Sequence, residues 1–246
     1  VYIPILDDED EVRDEVLEKD TVNEILNYLQ KFSYASLEHV TWLLLASCGA
    51  RVGGIHALDV EDFVSSQDGA YLSFRHRPET GTPLKNKIGG ERDVDLDKSV
   101  ASVLGDYIEC KREDTTDEHG RNPLLSSRWG RVAKSTMRNY IYKWTRPCSV
   151  GNECPFGEDP DECEAAERTN TAHKCPGSLS CHPVRKGYIT SELKAGVPQR
   201  VVSERCNVSK EVMDKHYDYR SKKEKMEARR MLLQQAHRIN SGYLSG

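Results

Sequence analysis

CHPVRKGYITSELKAGVPQRVVSERCNVSKEVMDKHYDYR, residues 181–220, decides how this chain is read. It opens with His182 and Arg185 three positions apart, in what reads as the first turn of a helix. Side chains at that spacing share one helix face, so an imidazole and a guanidinium can address the same group. Tyr217 follows 32 residues after Arg185, with Asp218 beside it. The short segment ahead of it opens with Ser209 as an N-cap and carries Glu211, Val212 and Met213, which predicts a short helix. His216 adjoins Tyr217, and adjacent helical positions face apart, so His216 is expected to point elsewhere.

Upstream, Thr21 and Glu24 form a capping-box pattern before Ile25, Leu26, Tyr28 and Leu29. Ser36 caps a second helix with Val40, Leu43, Leu44 and Leu45, apolar enough to be buried. It ends at Cys48-Gly49-Ala50-Arg51, and a run containing Leu58-Asp59-Val60-Glu61-Asp62 follows. Residues 70–75 and 92–96 alternate as strands do, and the Pro/Gly-rich connection between them predicts a hairpin with a mobile tip carrying Lys85 and Lys87. Residues 97–113 read as a helix, 114–122 as a polar loop, 123–125 as a short buried segment and Ser127 to Thr145 as another helix. No second hydrophobic core stands apart behind a linker. The expectation is one mainly helical domain with a small antiparallel sheet, an α+β class.

Residues 146–181 interrupt this pattern with almost no apolar periodicity. An ordered segment so polar needs something besides a hydrophobic core. Cys148, Cys154, Cys163 and Cys175 can supply four thiolates to one structural Zn²⁺, with His173 and Cys181 as substitutes for the fourth ligand. The alternative is a flexible insertion without metal. With no secretory signal in view, clustered cysteines favour metal over disulfides.

Composition bounds the partners. The 246 residues are 30% charged with a formal net charge of only −5, so no global nucleic-acid signature exists. The distribution is lopsided. Residues 1–30 hold ten acidic residues against Arg13 and Lys19, a net of −8, whereas residues 182–246 hold fourteen Lys/Arg against seven Asp/Glu, a net of +7. A polyanion site would therefore lie in the C-terminal half. No apolar run approaches membrane-spanning length, and the expected location is cytoplasmic.

His182, Arg185 and a distant Tyr217, preceded by Gly49-Ala50-Arg51 and the 58–62 acidic stretch, resemble the boxes of the tyrosine recombinases, the phage-integrase family. The Lys215-His216-Tyr217-Asp218 wording, with the cysteine insertion, most resembles integrases of archaea and their viruses. The resemblance covers about residues 21–225. It implies an acidic leader over 1–20, a C-terminal helix and tail over 226–246, and a chain that is the catalytic half of a larger integrase. It also implies a lysine on the hairpin, for which Lys85 is preferred over Lys87.

The residue types suit phosphoryl transfer at a DNA phosphodiester. Arg51 and Arg185 would grip the non-bridging oxygens, and Lys85 would protonate the leaving 5′-oxygen. His182 would exchange a proton with the nucleophile Tyr217 or the phosphate, with no catalytic metal or nucleotide needed. Tyr219 is the rival nucleophile, and Tyr188 lies too close to Arg185 to be a good third. Two departures stand out. Gly54 occupies the place of a family carboxylate, and Val208 that of a family His or Trp, leaving neighbouring Asn207 as a substitute phosphate donor. The implied partners are double-stranded DNA and further copies of the chain, a tetramer on DNA or a monomer without it. A type IB topoisomerase-like enzyme and a non-catalytic, zinc-stapled DNA-binding relative are the alternative readings.

Overall fold

The computed structural model describes residues 15–218 and 220–242. Tyr219, most of the acidic leader and residues 243–246 lie outside the described residues. In chain order come helices α1 (Lys19–Phe32), α2 (Leu37–Cys48) and α3 (Val52–Ala57). Strands β1 (Phe63–Ser66), β2 (Gly69–Phe74) and β3 (Arg92–Leu96) follow, then α4 (Lys98–Cys110). A two-stranded ribbon, β4 (Ser126–Ser127) and β5 (Gly130–Arg131), precedes α5 (Lys134–Thr145) and the four-residue α6 (Glu164–Glu167). The chain then runs through α7 (Cys181–Lys194), α8 (Gln199–Cys206), α9 (Lys210–His216) and α10 (Lys222–Gly242).

Val40, Trp42, Leu44, Leu45 and Cys48 leave α2 apolar on every side, and a helix of that kind must be surrounded. It packs against α1, α3, α4, α5 and α7. Ser36 caps it as expected, accepting from the His39 amide at 3.1 Å. At the start of α1 the expected capping box is absent. The helix begins earlier, at Lys19, after Glu18, and no side chain caps it. Leu17, within the stretch expected to be an acidic leader, is buried in the main core.

The sheet has the order β1-β2-β3, antiparallel throughout, with Leu72 opposite Val94 and Phe74 opposite Arg92. β2 and β3 form the expected hairpin, while β1 carries only one half-buried residue, Phe63, and showed no alternation to read.

The acidic stretch proves to be a structural clamp. Asp59 is fully buried and accepts from Arg121, at 2.7 Å from Nε, and from Arg131. Arg77 grips Asp62 with two bonds of 2.6 and 2.8 Å. Three arginines from three loops or strands are thereby fastened to the segment after α3. Asp59→Ala would leave the buried Arg121 without its carboxylate, whereas Arg77 keeps Asp62 and Arg131 keeps Asp117. Removing one partner of a buried pair costs about 3–5 kcal/mol. An unfolding free energy, read from urea denaturation, lowered by less than about 1 kcal/mol, the range of a surface pair, would contradict the clamp.

Residues 181–217 form a second, smaller apolar cluster. Ile189, Leu193, Val202, Cys206, Val208, Met213 and Tyr217 are its buried members. α7 joins this cluster to the main core, to which it contributes Val184. One glycine makes the junction possible. A Cβ on Gly187 would sit 2.1 Å from the Leu17 carbonyl oxygen, where the segment before α1 crosses α7 and the Leu17 amide donates to the Pro183 carbonyl at 3.2 Å.

Candidate active site

The first turn of α7 presents His182 and Arg185 on one face, as their spacing requires, and both line a cleft of ≈ 520 Å³. Arg51, Lys85 and Tyr217 line the same cleft. All five residues singled out in the sequence therefore meet, from four separate segments.

Gly49 turns the chain so that Arg51 arrives. It adopts φ +56, and an added Cβ there would lie 2.3 Å from the Tyr188 ring, so only glycine fits. Arg185, 3% exposed, donates to the carbonyls of Gly49 and Cys206, the latter at 2.7 Å. Arg51 donates to the Asn207 carbonyl at 2.9 Å, and Arg185 reaches the same oxygen at 3.5 Å. The two guanidiniums thus converge on one acceptor. Burial, then the charge of Arg185, lowers the pKa of Arg51, whereas the nearby Tyr217 works in the opposite direction.

His182 lies at the cleft rim. Desolvation lowers its pKa below the ordinary 6.5, and the charges of Arg185, Lys186, Arg51 and Lys85 add to the effect. The imidazole is therefore neutral at neutral pH.

Tyr217 follows the last residue of α9, with φ −134, and its amide closes the helix on Met213 at 3.0 Å. Ser209 caps the other end, accepting from Val212 at 3.3 Å. Because Tyr217 stands past the helix end, the rule that adjacent residues face apart does not govern it. His216 lines the cleft too, contrary to expectation. Tyr188 is excluded from this cleft. Its hydroxyl accepts from Arg205 at 2.7 Å, in a different groove, and burial raises its pKa.

Lys85 sits exposed on the β2–β3 connection, at the wall of the cleft and of an adjoining hollow of ≈ 340 Å³. Lys87 lines neither. Gly54 borders the hollow, and a Cβ there would press on the Phe74 ring at 3.3 Å. That ring is stacked by Arg92 at 4.3 Å, so a carboxylate has no easy place here.

Asn207 turns its side chain to the hairpin tip and not to the cleft's phosphate grip. Its side chain accepts from Asn86 and donates to the Gly89 carbonyl at 3.0 Å, so its amide is already engaged with the hairpin tip.

Reading the sequence also passed over Lys134, Arg138, Tyr142 and Lys186. Lys186 is 1% exposed, and with Arg138 and Tyr142 it lines the cleft. Lys134, Arg138 and Tyr142 recur every four residues along α5, beside the buried stripe of Met137, Ile141 and Trp144, and that polar stripe was the available signal.

The four cysteines of the insertion are half-buried free thiols. Burial raises the pKa of the Cys148 thiol, and nearby Cys175 and Cys154 add to the effect. Among the described residues, no group of three or more His, Cys, Asp or Glu is gathered to hold a metal. Other contacts fasten the insertion to α5. Ala165 and Ala172 are buried, Arg146 donates to the Ala165 carbonyl, and Thr145 Oγ1 accepts from the Leu179 amide at 2.8 Å.

A core helix ringed by others, a three-stranded antiparallel sheet and a cleft fed by α7 and the end of α9 make up the tyrosine recombinase catalytic-domain fold. The chain is similar in structure to XerA recombinase, with a TM-score of 0.57 and 17% identity over 96% of this chain and 66% of that one. It is similar to the Tn1549 transposon integrase in complex with circular intermediate DNA, with a TM-score of 0.62 and 14% identity over 94% of this chain and 68% of that one. It also matches XerH site-specific recombinase bound to its difH substrate, with a TM-score of 0.56 and 14% identity over 87% of this chain and 52% of that one. The chain thus spans between half and two thirds of the length of the XerH and XerA structures. No protein-family model matches it, and no curated protein matches it in sequence.

Proposed function

We propose that this chain is the catalytic part of a site-specific DNA recombinase that cuts and rejoins duplex DNA through a 3′-phosphotyrosine. The convergence of Arg51, Lys85, His182, Arg185 and Tyr217 on one cleft carries this reading. The Tyr217 oxygen attacks the scissile phosphorus, and the bond from phosphorus to the 5′-oxygen breaks. His182 accepts the phenolic proton, and Lys85 gives a proton to the departing 5′-oxygen. Arg51 and Arg185 neutralise the charge that grows on the non-bridging oxygens. Bond energy is kept in the phosphotyrosine until another 5′-hydroxyl attacks it, so no nucleotide is consumed.

Arg138 and Lys134 are placed to carry neighbouring phosphates. The DNA in the XerH and Tn1549 structures supports DNA as the partner; a tetramer of chains as the exchanging assembly is part of our proposal. Among the described residues, no helix is long and apolar enough to cross a membrane. The 215–218 wording and the cysteine insertion are our reason for placing the chain nearest archaeal and viral integrases. The deciding experiment is trapping of a covalent adduct on a nicked suicide duplex.

Two outcomes follow from the site. A neutral His182 acting as base loses function when protonated, so the acid limb of cleavage at subsaturating DNA is expected below pH 6.5. A limb above that value would take His182 out of the base role. The second concerns the insertion. Its cysteine density supports one structural zinc on Cys148, Cys154, Cys163 and Cys175, whose thiols would have to close together around the ion. Elemental analysis is expected to find close to one zinc per chain, and freely reactive thiols without metal would remove the idea.

A further inference from the structure

Lys85 has to be held over the cleft by something other than its own side chain. Among the described residues, no hydrogen bond or ion pair fixes its ammonium, and its position depends on the backbone of residues 84–90. That loop has few anchors. Leu84 is buried, its amide donates to His76 Nδ1 at 3.0 Å, and Arg92 donates to the Gly90 carbonyl at 2.8 Å. The remaining anchor is Asn207, which comes from the opposite wall.

Asn207 uses both of its ends. Its backbone oxygen receives Arg51 and Arg185, and its side chain holds Asn86, the residue after Lys85, and Gly89. It does so from the left-handed region, at φ 52, where asparagine is among the few tolerated non-glycine residues. Gly90 gives it room, since a Cβ there would lie 3.2 Å from Asn207 Nδ2. We infer that Asn207 is a positioning residue: a clip that registers the Lys85 loop against the arginine pair, so that the leaving-group proton and the phosphate grip are set by one side chain. It touches no substrate in this role. The inference rests on the proposed strand-transfer reaction.

The chemistry supplies a selective test. An alkoxide leaving group needs a proton, since water itself ionises only near 15.7, whereas a thiol ionises near 8.5. A suicide duplex with sulfur in place of the 5′-bridging oxygen therefore releases a thiolate without help from Lys85. Asn207→Gly keeps the backbone carbonyl and suits the positive φ, but removes both side-chain bonds. Asn86→Ala, at an exposed loop position, breaks the same contact from the other side and serves if Asn207→Gly folds poorly.

Each variant is expected to cleave the all-oxygen duplex about tenfold to a hundredfold more slowly, a fraction of the roughly 10²–10⁴-fold that positioned proton transfer contributes. On the sulfur duplex both, and Lys85→Ala with them, are expected to return close to the rate of the unaltered protein. The double variant should be no slower than the worse single one, because both remove one contact. Asn207→Asp, which keeps the acceptor to Asn86 but loses the donor to Gly89, should fall between. An unaltered all-oxygen rate in Asn207→Gly or Asn86→Ala would overturn the clip. Equal slowing on both duplexes would assign Asn207 to the arginines or to the fold, and overturn it as well. Failure of the unaltered protein to form an adduct with either duplex is a separate result, and counts against the reaction itself.

Discussion

Tyr217→Phe is expected to abolish the covalent adduct on a nicked suicide duplex while leaving folding and DNA binding close to unchanged. The ring belongs to the second apolar cluster, with Ile189, Leu193, Val202 and Met213 around it. Phenylalanine keeps that packing and loses only the oxygen that would bond to phosphorus. Removing a nucleophile outright costs on the order of 10⁶-fold in rate, so the adduct should vanish rather than diminish. The suicide design sharpens the result. A short strand ending in the leaving 5′-hydroxyl diffuses away after cleavage, so rejoining stops and each active molecule is counted once. Peptide mapping of the unaltered protein should place the DNA on Tyr217. An adduct on Tyr219, which lies outside the described residues, or persistence of the adduct in Tyr217→Phe, would reassign the nucleophile. Tight DNA binding with no adduct at all would favour a non-catalytic relative.

Arg51→Lys and Arg185→Lys should each slow cleavage by roughly a hundred- to a thousand-fold at saturating protein, the usual cost of losing one donor to a transition-state oxyanion. Lysine keeps the charge and loses the planar fork, so the substitution is not conservative here. Stability should separate the two variants. Arg51 is half-buried and has one carbonyl partner, so its loss should barely move the melting temperature. Arg185 is buried and joins the carbonyls of Gly49 and Cys206, which lysine cannot reach in the same geometry. A buried acceptor left without a donor costs about 1–3 kcal/mol, so Arg185→Lys should also melt earlier. DNA binding should weaken far less than cleavage, because Lys85, Lys134 and Arg138 share the backbone charge. Near-normal adduct formation in either variant would make that arginine structural and deprive the recombinase reading of its central support.

Local grammar made part of the site legible. The three-residue step from His182 to Arg185 needed only a helix to put both on one face, and the cleft contains both. Ser36 and Ser209 were readable because an N-cap bonds within its own first turn. Lys85 could be placed on a turn because proline and glycine mark one. The same local rules failed where a segment ended. Thr21 and Glu24 fitted a capping box, yet α1 begins at Lys19, because Leu17 is drawn into the core and the helix starts directly after it. His216 was set aside by a helical rule that lapses at the helix terminus. The polar insertion was expected to depend on metal, but buried Ala165 and Ala172 and the Arg146 and Thr145 bonds also tie it to α5.

By itself, then, the sequence determined which residues lie on which helix faces, where most helices start, and which residue types are available for phosphoryl transfer. These properties rest on periodicity and on bonds spanning a few residues. Only the tertiary structure decided that Arg51 and Arg185 meet at the Asn207 carbonyl, that Lys85 rather than Lys87 reaches the cleft, and that Asp59 is a structural anchor. The first two depend on segments from two separate apolar clusters being brought together, with Gly49 and Gly187 permitting the close approaches, and the Asp59 anchor on loops far apart in sequence meeting beside α3. No single segment encodes that meeting, because the energy that drives it is buried area shared between segments.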